Sequence, residues 1–267
     1  MTTEIELYQE IKSKVTFLYQ QLQLVKQEKR TGRKLAIPII DSISMYLFKQ
    51  VNHIATKQAV FNIFKPSCTY KTLVENMNRF ALYALLMLVT LLKMNRRVAH
   101  PVKHTDATDI PVCLNKNARR HRTMAGLAGW GHSGKGLFYG LKLHITTDLK
   151  RRLLAVKFTS GALHESKVFT ELNQDLLGLF IADAAYVGKK LAREFFMEGK
   201  RMLLAAARKS MKKILTPLQL FLYRTRMLIE LNFRSLKMFF GLLTSLPRSV
   251  SGYLANYTFS LLAYLIA

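Results

Sequence analysis

The stretch that decides the fold lies in the second half of the chain and reads Leu137-Phe138-Tyr139-Gly140-Leu141-Lys142-Leu143-His144-Ile145-Thr146-Thr147. From Leu141 onward apolar and polar residues alternate, and this period of two predicts a β-strand with one buried face. A turn at 148–150 and a further apolar segment at 153–159 follow. They predict a second strand that pairs with the first as an antiparallel hairpin.

Helices and strands alternate after this hairpin. The predicted elements are a helix at 165–177, a strand at 179–183, a helix at 187–198, a strand at 201–207 and a long final helix at 218–243. With a short strand carrying Asp106 ahead of the hairpin, the predicted order is β-β-β-α-β-α-β-α. Such an order predicts an α/β fold with a mixed sheet and helices on its faces. By analogy, the order is that of the ribonuclease H-like fold.

The first hundred residues have helical rather than strand-like spacing. The predicted helices are 4–28, 41–53, 56–64 and 69–93, with Asp41 or Ser42 and then Thr56 as N-caps. A short helix, a tight turn and another helix are compatible with a helix-turn-helix DNA-binding domain, although many helical subdomains share this pattern. With a linker near 96–103, we predict an all-helical, DNA-binding domain at 1–100 and a catalytic domain at 101–267.

Composition indicates a polyanionic partner. The 267 residues include 41 Lys and Arg against 16 Asp and Glu, which gives a net charge of +25. A basic excess spread along the chain is typical of nucleic-acid binding, with ribosome-like packing or an anionic membrane surface as alternatives. Cys68 and Cys113 match no zinc-site spacing and favour a reducing cytoplasm. The apolar runs at 80–92 and 252–267 are too short for a convincing membrane anchor, and we expect 80–92 to be a core helix.

Three carboxylates stand in apolar surroundings, where an isolated charge would be costly to bury. Asp183 ends the apolar run 176–182, Glu230 is embedded in 227–233, and Asp106 precedes the predicted hairpin. Asp109 competes with Asp106 for the first position and could instead set the turn before Pro111. Carboxylates that converge at one end of a sheet can hold two Mg²⁺ ions, the arrangement that cleaves phosphodiesters.

Two of these carboxylates also have a structural explanation. Asp183 could cap the turn that follows it, and Glu230 could form salt bridges one helical turn away. At 100° per residue, Arg226, Glu230, Arg234 and Lys237 lie along one narrow stripe of an otherwise apolar helix. We interpret this stripe as a metal ligand flanked by phosphate-binding cations, with Lys142 on the hairpin as a further DNA contact.

Two other patterns are weaker. The segment 129–136 nearly matches a nucleotide-binding loop, but it lacks the preceding strand and the following helix, and Gly136 occupies the Mg²⁺-binding Ser or Thr position. We predict a flexible basic hairpin that contacts DNA phosphates. His144 and His164 could face the active centre, or could be core and capping residues.

The second half of the chain resembles the DDE class of bacterial insertion-sequence transposases. Five blocks carry the resemblance: Asp106-Ala107-Thr108-Asp109-Ile110-Pro111-Val112-Cys113, Phe138-Tyr139-Gly140-Leu141-Lys142-Leu143-His144, Gly161-Ala162-Leu163-His164-Glu165, Ile181-Ala182-Asp183-Ala184-Ala185-Tyr186 and Arg226-Met227-Leu228-Ile229-Glu230. Two residues depart from the family pattern: Ala184 stands where Lys is frequent, and Glu165 where Asp is common.

This resemblance implies a catalytic triad of Asp106, Asp183 and Glu230 that holds Mg²⁺, for which Mn²⁺ can substitute. It also implies DNA partners, namely terminal inverted repeats and target DNA, and a homo-oligomer assembled on DNA at the nucleoid. The implied activity is cleavage at the element ends and joining of the 3′-OH to target DNA. The alternatives are a catalytically decayed relic that only binds DNA, a ribonuclease H-like nuclease, or an RNA-binding structural protein.

Overall fold

The computed structural model describes residues 4–28, 32, 34–134, 136–205 and 216–267. Its strands, within these residues, are β1 Val102–Pro111, β2 Gly129–Ser133, β3 Gly136–Asp148, β4 Leu153–Ser160, β5 Gly178–Ala182 and β6 Arg201–Ala205. The helices are α1 Glu4–Gln21, α2 Ile39–Val51, α3 Lys57–Phe64, α4 Tyr70–Arg79, α5 Ala81–Arg97, α6 Ser166–Leu172, α7 Lys189–Phe195, α8 Pro217–Arg224, α9 Met227–Phe239 and α10 Val250–Ile266.

One mixed sheet joins the described strands, in the order β2-β3-β1-β5-β6 with β4 also paired to β3. The central strand β1 is antiparallel to β3 and parallel to β5, and β6 is parallel to β5. The predicted hairpin is confirmed as β3 and β4, with Leu143 opposite Phe158. The α/β class with a mixed sheet is likewise confirmed.

The glycine-rich segment forms a hairpin, as predicted, while its flexibility and its contact with DNA stay predictions. Residues 129–133 form β2, a strand absent from the predicted order, and pair antiparallel with the first part of β3. Glycine makes this pairing possible because a Cβ on Gly131 would come within 2.5 Å of the Gly161 carbonyl oxygen. Trp130 also packs edge-on against Tyr139, with ring centroids 5.4 Å apart. Lys135 lies outside the described residues.

The predicted long final helix is divided. α8 ends at Arg224 and α9 begins at Met227, so that Thr225 and Arg226 form a junction. The predicted helix at 69–93 is also broken, at Phe80, into α4 and α5. Residues 206 and 207 of the predicted last strand lie outside the described residues.

Of the predicted N-caps, Thr56 is confirmed because its hydroxyl accepts from the Ala59 amide at 3.1 Å. Neither Asp41 nor Ser42 caps α2, which begins earlier, at Ile39 after Pro38. Within the described residues before β1, the regular elements are all helical, as predicted for this region.

The chain divides into two compact units. Residues 1–91 and 235–267 form a helical unit, and residues 92–234 form a sheet unit. The predicted boundary near residue 100 places 235–267 with the catalytic domain, whereas these residues belong with the N-terminal helices. The reason is that the apolar α10 packs on α2: Phe259 stacks on Tyr46 at 4.1 Å, and Asn256 accepts a hydrogen bond from Gln50 at 3.2 Å.

One stretch of the described chain, Tyr70–Arg97, is long and apolar enough to cross a membrane by length and composition alone. One third of its most apolar window, 33%, is buried. Core helices of soluble proteins pass the same test, so the finding is weak. The other apolar segment, 252–267, is largely buried, with Tyr253, Tyr257 and Phe259 inside the helical unit.

Candidate active site

Asp106 lies in the middle of the central strand β1, and its side chain is only 14% exposed. Burial raises the pKa of its carboxyl to about 7; the Ala107 amide and Arg226 act against this shift, and the negative charges of Glu165 and Asp183 add to it. The Ala107 amide and Arg226 therefore do not fully offset the cost of burying the negative charge of Asp106.

Asp183 follows the last residue of β5 directly. Its Oδ1 accepts from the Ala184 amide and so caps the short 3₁₀ turn at 184–186, which confirms the capping alternative. The same oxygen also lies 3.0 Å from Arg226 Nη1. Capping and participation in the site are thus compatible, because a carboxylate oxygen accepts more than one hydrogen bond.

Arg226 lies among all three predicted site carboxylates. Its Nη1 contacts Asp183, while its Nη2 lies 3.7 Å from Asp106 Oδ2 and 3.6 Å from Glu230 Oε1. We call Asp106, Asp183 and Glu230 the carboxylate cluster. One guanidinium charge faces three carboxylates, so the cluster keeps a negative excess that a further cation would neutralise.

Glu230 does not match the expectation of a buried carboxylate. It stands in the first turn of α9 with its side chain 65% exposed, and the apolar neighbours Met227 and Leu231 are exposed as well. The alternative, an ion pair one turn away, is confirmed by its contact with Arg226. Of the cluster, only Asp106 is largely buried, because the side chain of Asp183 is 43% exposed and that of Glu230 is 65% exposed.

The register of the sheet separates Asp109 and Lys142 from Asp106. They pair with each other across β1 and β3, whereas Asp106 pairs with Ile145. Because successive side chains alternate between the faces of a sheet, this register puts them on the opposite face from Asp106. Lys142 is 12% exposed and lies 3.4 Å from Glu165, so its ammonium is engaged within the protein.

The other predicted residues occupy different places. Arg234 and Lys237 follow Glu230 along α9, the former exposed and the latter half-buried. His144 is buried, and its Nε2 lies 2.8 Å from the Thr159 hydroxyl. His164 Nδ1 lies 2.7 Å from the hydroxyl of Ser166 at the start of α6. Both histidines therefore make the local contacts of core and capping residues.

His104 was missed by sequence reasoning, although it precedes Asp106 by two residues and so shares its face of β1. It is fully buried, and its Nε2 lies 2.8 Å from the Thr225 hydroxyl at the α8–α9 junction. Burial, together with the charge of Arg226, lowers its pKa to about 4. A neutral His104 holds the residue next to Arg226 and thereby positions the guanidinium.

Tyr186 was also missed, because its aromatic ring suggests only a core residue. The ring packs at 5.3 Å from Phe169, and the hydroxyl is buried without a hydrogen-bond partner. Burial raises its pKa well above the usual range, and Asp106, Glu165 and Asp183 add to this effect. A buried hydroxyl without a partner beside carboxylates is a place where a ligand can complete the hydrogen bonding.

The cluster offers carboxylate oxygens, the donors that hard divalent cations such as Mg²⁺ prefer. Within the described residues, however, no group of three or more His, Cys, Asp or Glu side chains is arranged as a ready metal site. The donor chemistry therefore fits such an ion, while Arg226 separates the carboxylates. An ion can bind there only if the guanidinium moves.

Comparison with known proteins adds a family match. Residues 97–249, more than half of the chain, match the family described as "Transposase DDE domain". The curated proteins give no match. Among solved structures, the chain is similar to the cryo-EM structure of a piggyBac transposase synaptic complex with hairpin DNA, at a TM-score of 0.38 and 10% identity. The match covers 80% of this chain and 53% of that one, so the chain spans about half that protein's length.

Proposed function

The chain belongs to the family of transposases with a DDE domain, and we propose that it cleaves DNA at the ends of an insertion sequence and joins the freed 3′-OH to target DNA. One observation carries the proposal: Asp106, Asp183 and Glu230 all contact the guanidinium of Arg226. Residues far apart in sequence thus lie at one place, where a shared ligand can reach them.

The strand order supports the finer assignment to a ribonuclease H-like fold. The central β1 has antiparallel β3 on one side and parallel β5 and β6 on the other, and along the chain the strands follow the order predicted from sequence with β2 added. In this arrangement Asp106 lies on the central strand and Asp183 just beyond the end of its parallel neighbour. Strand ends of this kind are where α/β sheets place ligands.

We assign Asp106, Asp183 and Glu230 as ligands of Mg²⁺, with Mn²⁺ as a substitute. When bound, a pair of such ions activates the attacking oxygen and stabilises the leaving oxygen of a phosphodiester. Asp106 supplies a buried carboxylate whose negative charge is poorly compensated, and Asp183 is oriented by the Ala184 amide. Glu230, on the exposed turn of α9, lies where DNA can approach.

Arg226 has a second role in this proposal. Guanidinium groups bind phosphate oxygens through paired, charge-assisted hydrogen bonds. Once it leaves the carboxylates, Arg226 is close enough to the site to hold the phosphate that reacts. Arg234 and Lys237, farther along α9, are proposed to contact neighbouring phosphates of the same strand.

The net charge of +25 supports DNA as the partner. We propose that residues 1–100 bind the terminal inverted repeats and that the chain acts as a homo-oligomer on DNA, in the cytoplasm at the nucleoid. Lys142 is largely buried and paired with Glu165, so its position does not support a contact with DNA.

The test uses DNA that carries the inverted repeats flanking the coding region. Asp106→Asn, Asp183→Asn and Glu230→Gln are expected to bind this DNA, yet neither nick it nor join it to a target in Mg²⁺ or Mn²⁺. Asp109→Asn is the matched control, because Asp109 lies on the same strand but on the opposite face, and it should retain activity. Joining at the wild-type level by Asp183→Asn or Glu230→Gln would overturn the assignment.

The products separate the remaining functions. A nuclease would release cut ends without covalent junctions between element and target. A decayed relic would bind the repeats and give no product in either metal. Two observations favour the decayed relic: the Arg226 guanidinium lies among the carboxylates, and Ala184 departs from the family pattern.

A further inference from the structure

A cavity of about 450 Å³ lies within the helical unit, and its lining includes no residue of the carboxylate cluster. Its inner wall includes Tyr46, Lys49 and Asn256, all nearly inaccessible to solvent. Its mouth includes the exposed residues Tyr70 and Arg248. We call it the lysine cavity.

Two lysines face this space without a carboxylate partner among the described residues. Lys49 is 8% exposed and donates to the neutral Gln50 side chain at 3.0 Å. Lys57 donates to the neutral Asn78 side chain at 2.6 Å. Both ammonium groups also lie over the ring of Tyr46, at 5.8 and 4.5 Å from its centroid. An ammonium group that is buried without an anion destabilises the fold, and buried charges in proteins are usually paired with an opposite charge or have a function.

The environment works against both charges. Burial lowers the pKa of Lys49 to about 8 and that of Lys57 to about 7, and the charge of Lys49 adds to the shift of Lys57. Two neighbouring cations that are both disfavoured by burial, and of which one disfavours the charge of the other, create a demand for an anion between them.

The surrounding backbone has the same polarity. Thr56 and Ser249, the N-caps of α3 and α10, both line the cavity, so two helix N-termini lie at its wall. Helix N-termini carry a partial positive charge and attract anions. Arg248 adds a third cation at the mouth, and no acidic residue lines the cavity. The cavity is therefore positive from its side chains and from its helix ends.

We propose that the lysine cavity binds a phosphate group, held by Lys49, Lys57 and Arg248. The phosphate belongs either to a nucleic-acid backbone or to a free phosphate compound, and the two share the same recognition chemistry. This site is independent of the carboxylate cluster, because all its residues belong to the helical unit. Strand cleavage can therefore fail while phosphate binding holds, and the reverse.

Thermal unfolding of the full chain in increasing inorganic phosphate, at constant ionic strength with chloride, tests the proposal. A ligand that binds only the folded state raises the melting temperature with its concentration. We expect such a rise for the wild type and its loss in Lys49→Met and Lys57→Met. In the absence of phosphate, the melting temperatures of both variants should be no lower than that of the wild type. Lys71→Met is the matched control, because Lys71 is exposed on α4 and pairs only with Glu75, and it should keep the rise.

Two further variants keep the test decisive. Arg248→Met changes an exposed residue and cannot leave a buried charge, so it should fold and bind phosphate several-fold more weakly. Arg226→Gln removes a cation from the carboxylate cluster and should leave the phosphate effect intact. The proposal is overturned if the wild type shows no phosphate-dependent rise, if Lys49→Met and Lys57→Met keep it, or if the effect disappears only in Arg226→Gln.

Binding of a duplex oligonucleotide identifies the source of the phosphate. If the source is a DNA backbone, Lys49→Met should weaken duplex binding and lower its dependence on log salt concentration by about one. If duplex binding is unchanged while inorganic phosphate binding is lost, the source is a free phosphate compound. Lys71→Met again serves as the reference for a lost surface charge.

Discussion

Arg226 Nη1 lies 3.0 Å from Asp183 Oδ1, so the cation at the α8–α9 junction is bound to the carboxylate that directly follows β5. The other nitrogen of the same guanidinium reaches Asp106 and Glu230. Arg226 thus supplies, without a metal, part of the positive charge that the carboxylate cluster needs. Any divalent cation that uses these oxygens must compete with it.

Replacing Arg226 by Gln should therefore strengthen metal binding in the absence of DNA. The change removes a competing charge and frees all three carboxylates, and we expect the dissociation constant for Mn²⁺ to fall at least about threefold. Titration followed by electron paramagnetic resonance measures it. Arg234→Gln, an exposed change on the same helix, should bind Mn²⁺ like the wild type. Unchanged or weaker binding by Arg226→Gln would mean that the guanidinium does not compete.

The hydrogen bond between His104 and Thr225 should stabilise the α8–α9 junction. Thr225→Val keeps the shape of the side chain but leaves the buried His104 Nε2 without a partner, at a cost of roughly 1–3 kcal/mol. Unfolding in urea measures the loss. Thr225→Ser retains the hydroxyl and should lose clearly less. Equal losses of stability in Thr225→Val and Thr225→Ser would show that the Thr225 hydroxyl does not stabilise the junction.

Gly140 should tolerate no side chain. A Cβ there would stand 2.1 Å from the Ile110 carbonyl oxygen, and β3 cannot shift because Gly140 is paired with Pro111 on one side and Gly129 on the other. Gly140→Ala should destabilise the chain by about 3 kcal/mol or more. Gly134→Ala, with nothing within 4 Å of the added carbon, should stay within about 0.5 kcal/mol of the wild type. Equal stability of the two variants would contradict the close approach of β1 and β3.

Lys57 should make stability depend on pH in an unusual direction. Its pKa is about 7 in the folded chain, against an ordinary value of 10.5, so between these values the unfolded state binds more protons. Folding stability from this group therefore rises with pH across that window and is lowest below it. Lys57→Met should be more stable than the wild type near pH 7, and the gap should close toward about pH 10 by at most about 1.4 kcal/mol per unit.

Urea unfolding at several pH values gives both curves. The groups that face Lys57 are Lys49 and Tyr46 on α2, Tyr70 on α4 and Arg248 before α10. Lys49 titrates in the same window, so Lys49→Met should show the same sign, whereas burial raises the pKa of Tyr46 above it. A gap that widens with pH would show that Lys57 is stabilising as a cation.

Much of the sheet was predictable because a strand leaves its period in the sequence. The hairpin predicted at 137–147 and 153–159 is observed at Gly136–Asp148 and Leu153–Ser160, and Asp183 stands at the end of its predicted strand. β2 was not predicted, since its glycines serve close strand contacts and carry no alternation of apolar and polar residues.

The candidate site was predictable in part. The residue types and their apolar surroundings in the sequence single out Asp106, Asp183 and Glu230 as candidates, and the alternation of β1 could have added His104. No local pattern indicates that Glu230 is exposed or that Tyr186 ends beside the carboxylates with an unpaired hydroxyl. Burial depends on which distant segments cover a residue.

By itself, the sequence determined the mixed α/β class, the basic charge and the helical start of the chain, and it singled out three carboxylates as candidates, because periodicity, charge and residue type are local properties. Only the tertiary structure decided that Arg226 lies among those carboxylates, that α10 joins the N-terminal helices and that Lys49 and Lys57 share one cavity. These three outcomes depend on residues brought together from distant parts of the chain. Packing and electrostatics act through distance in space, which spacing along the chain does not specify.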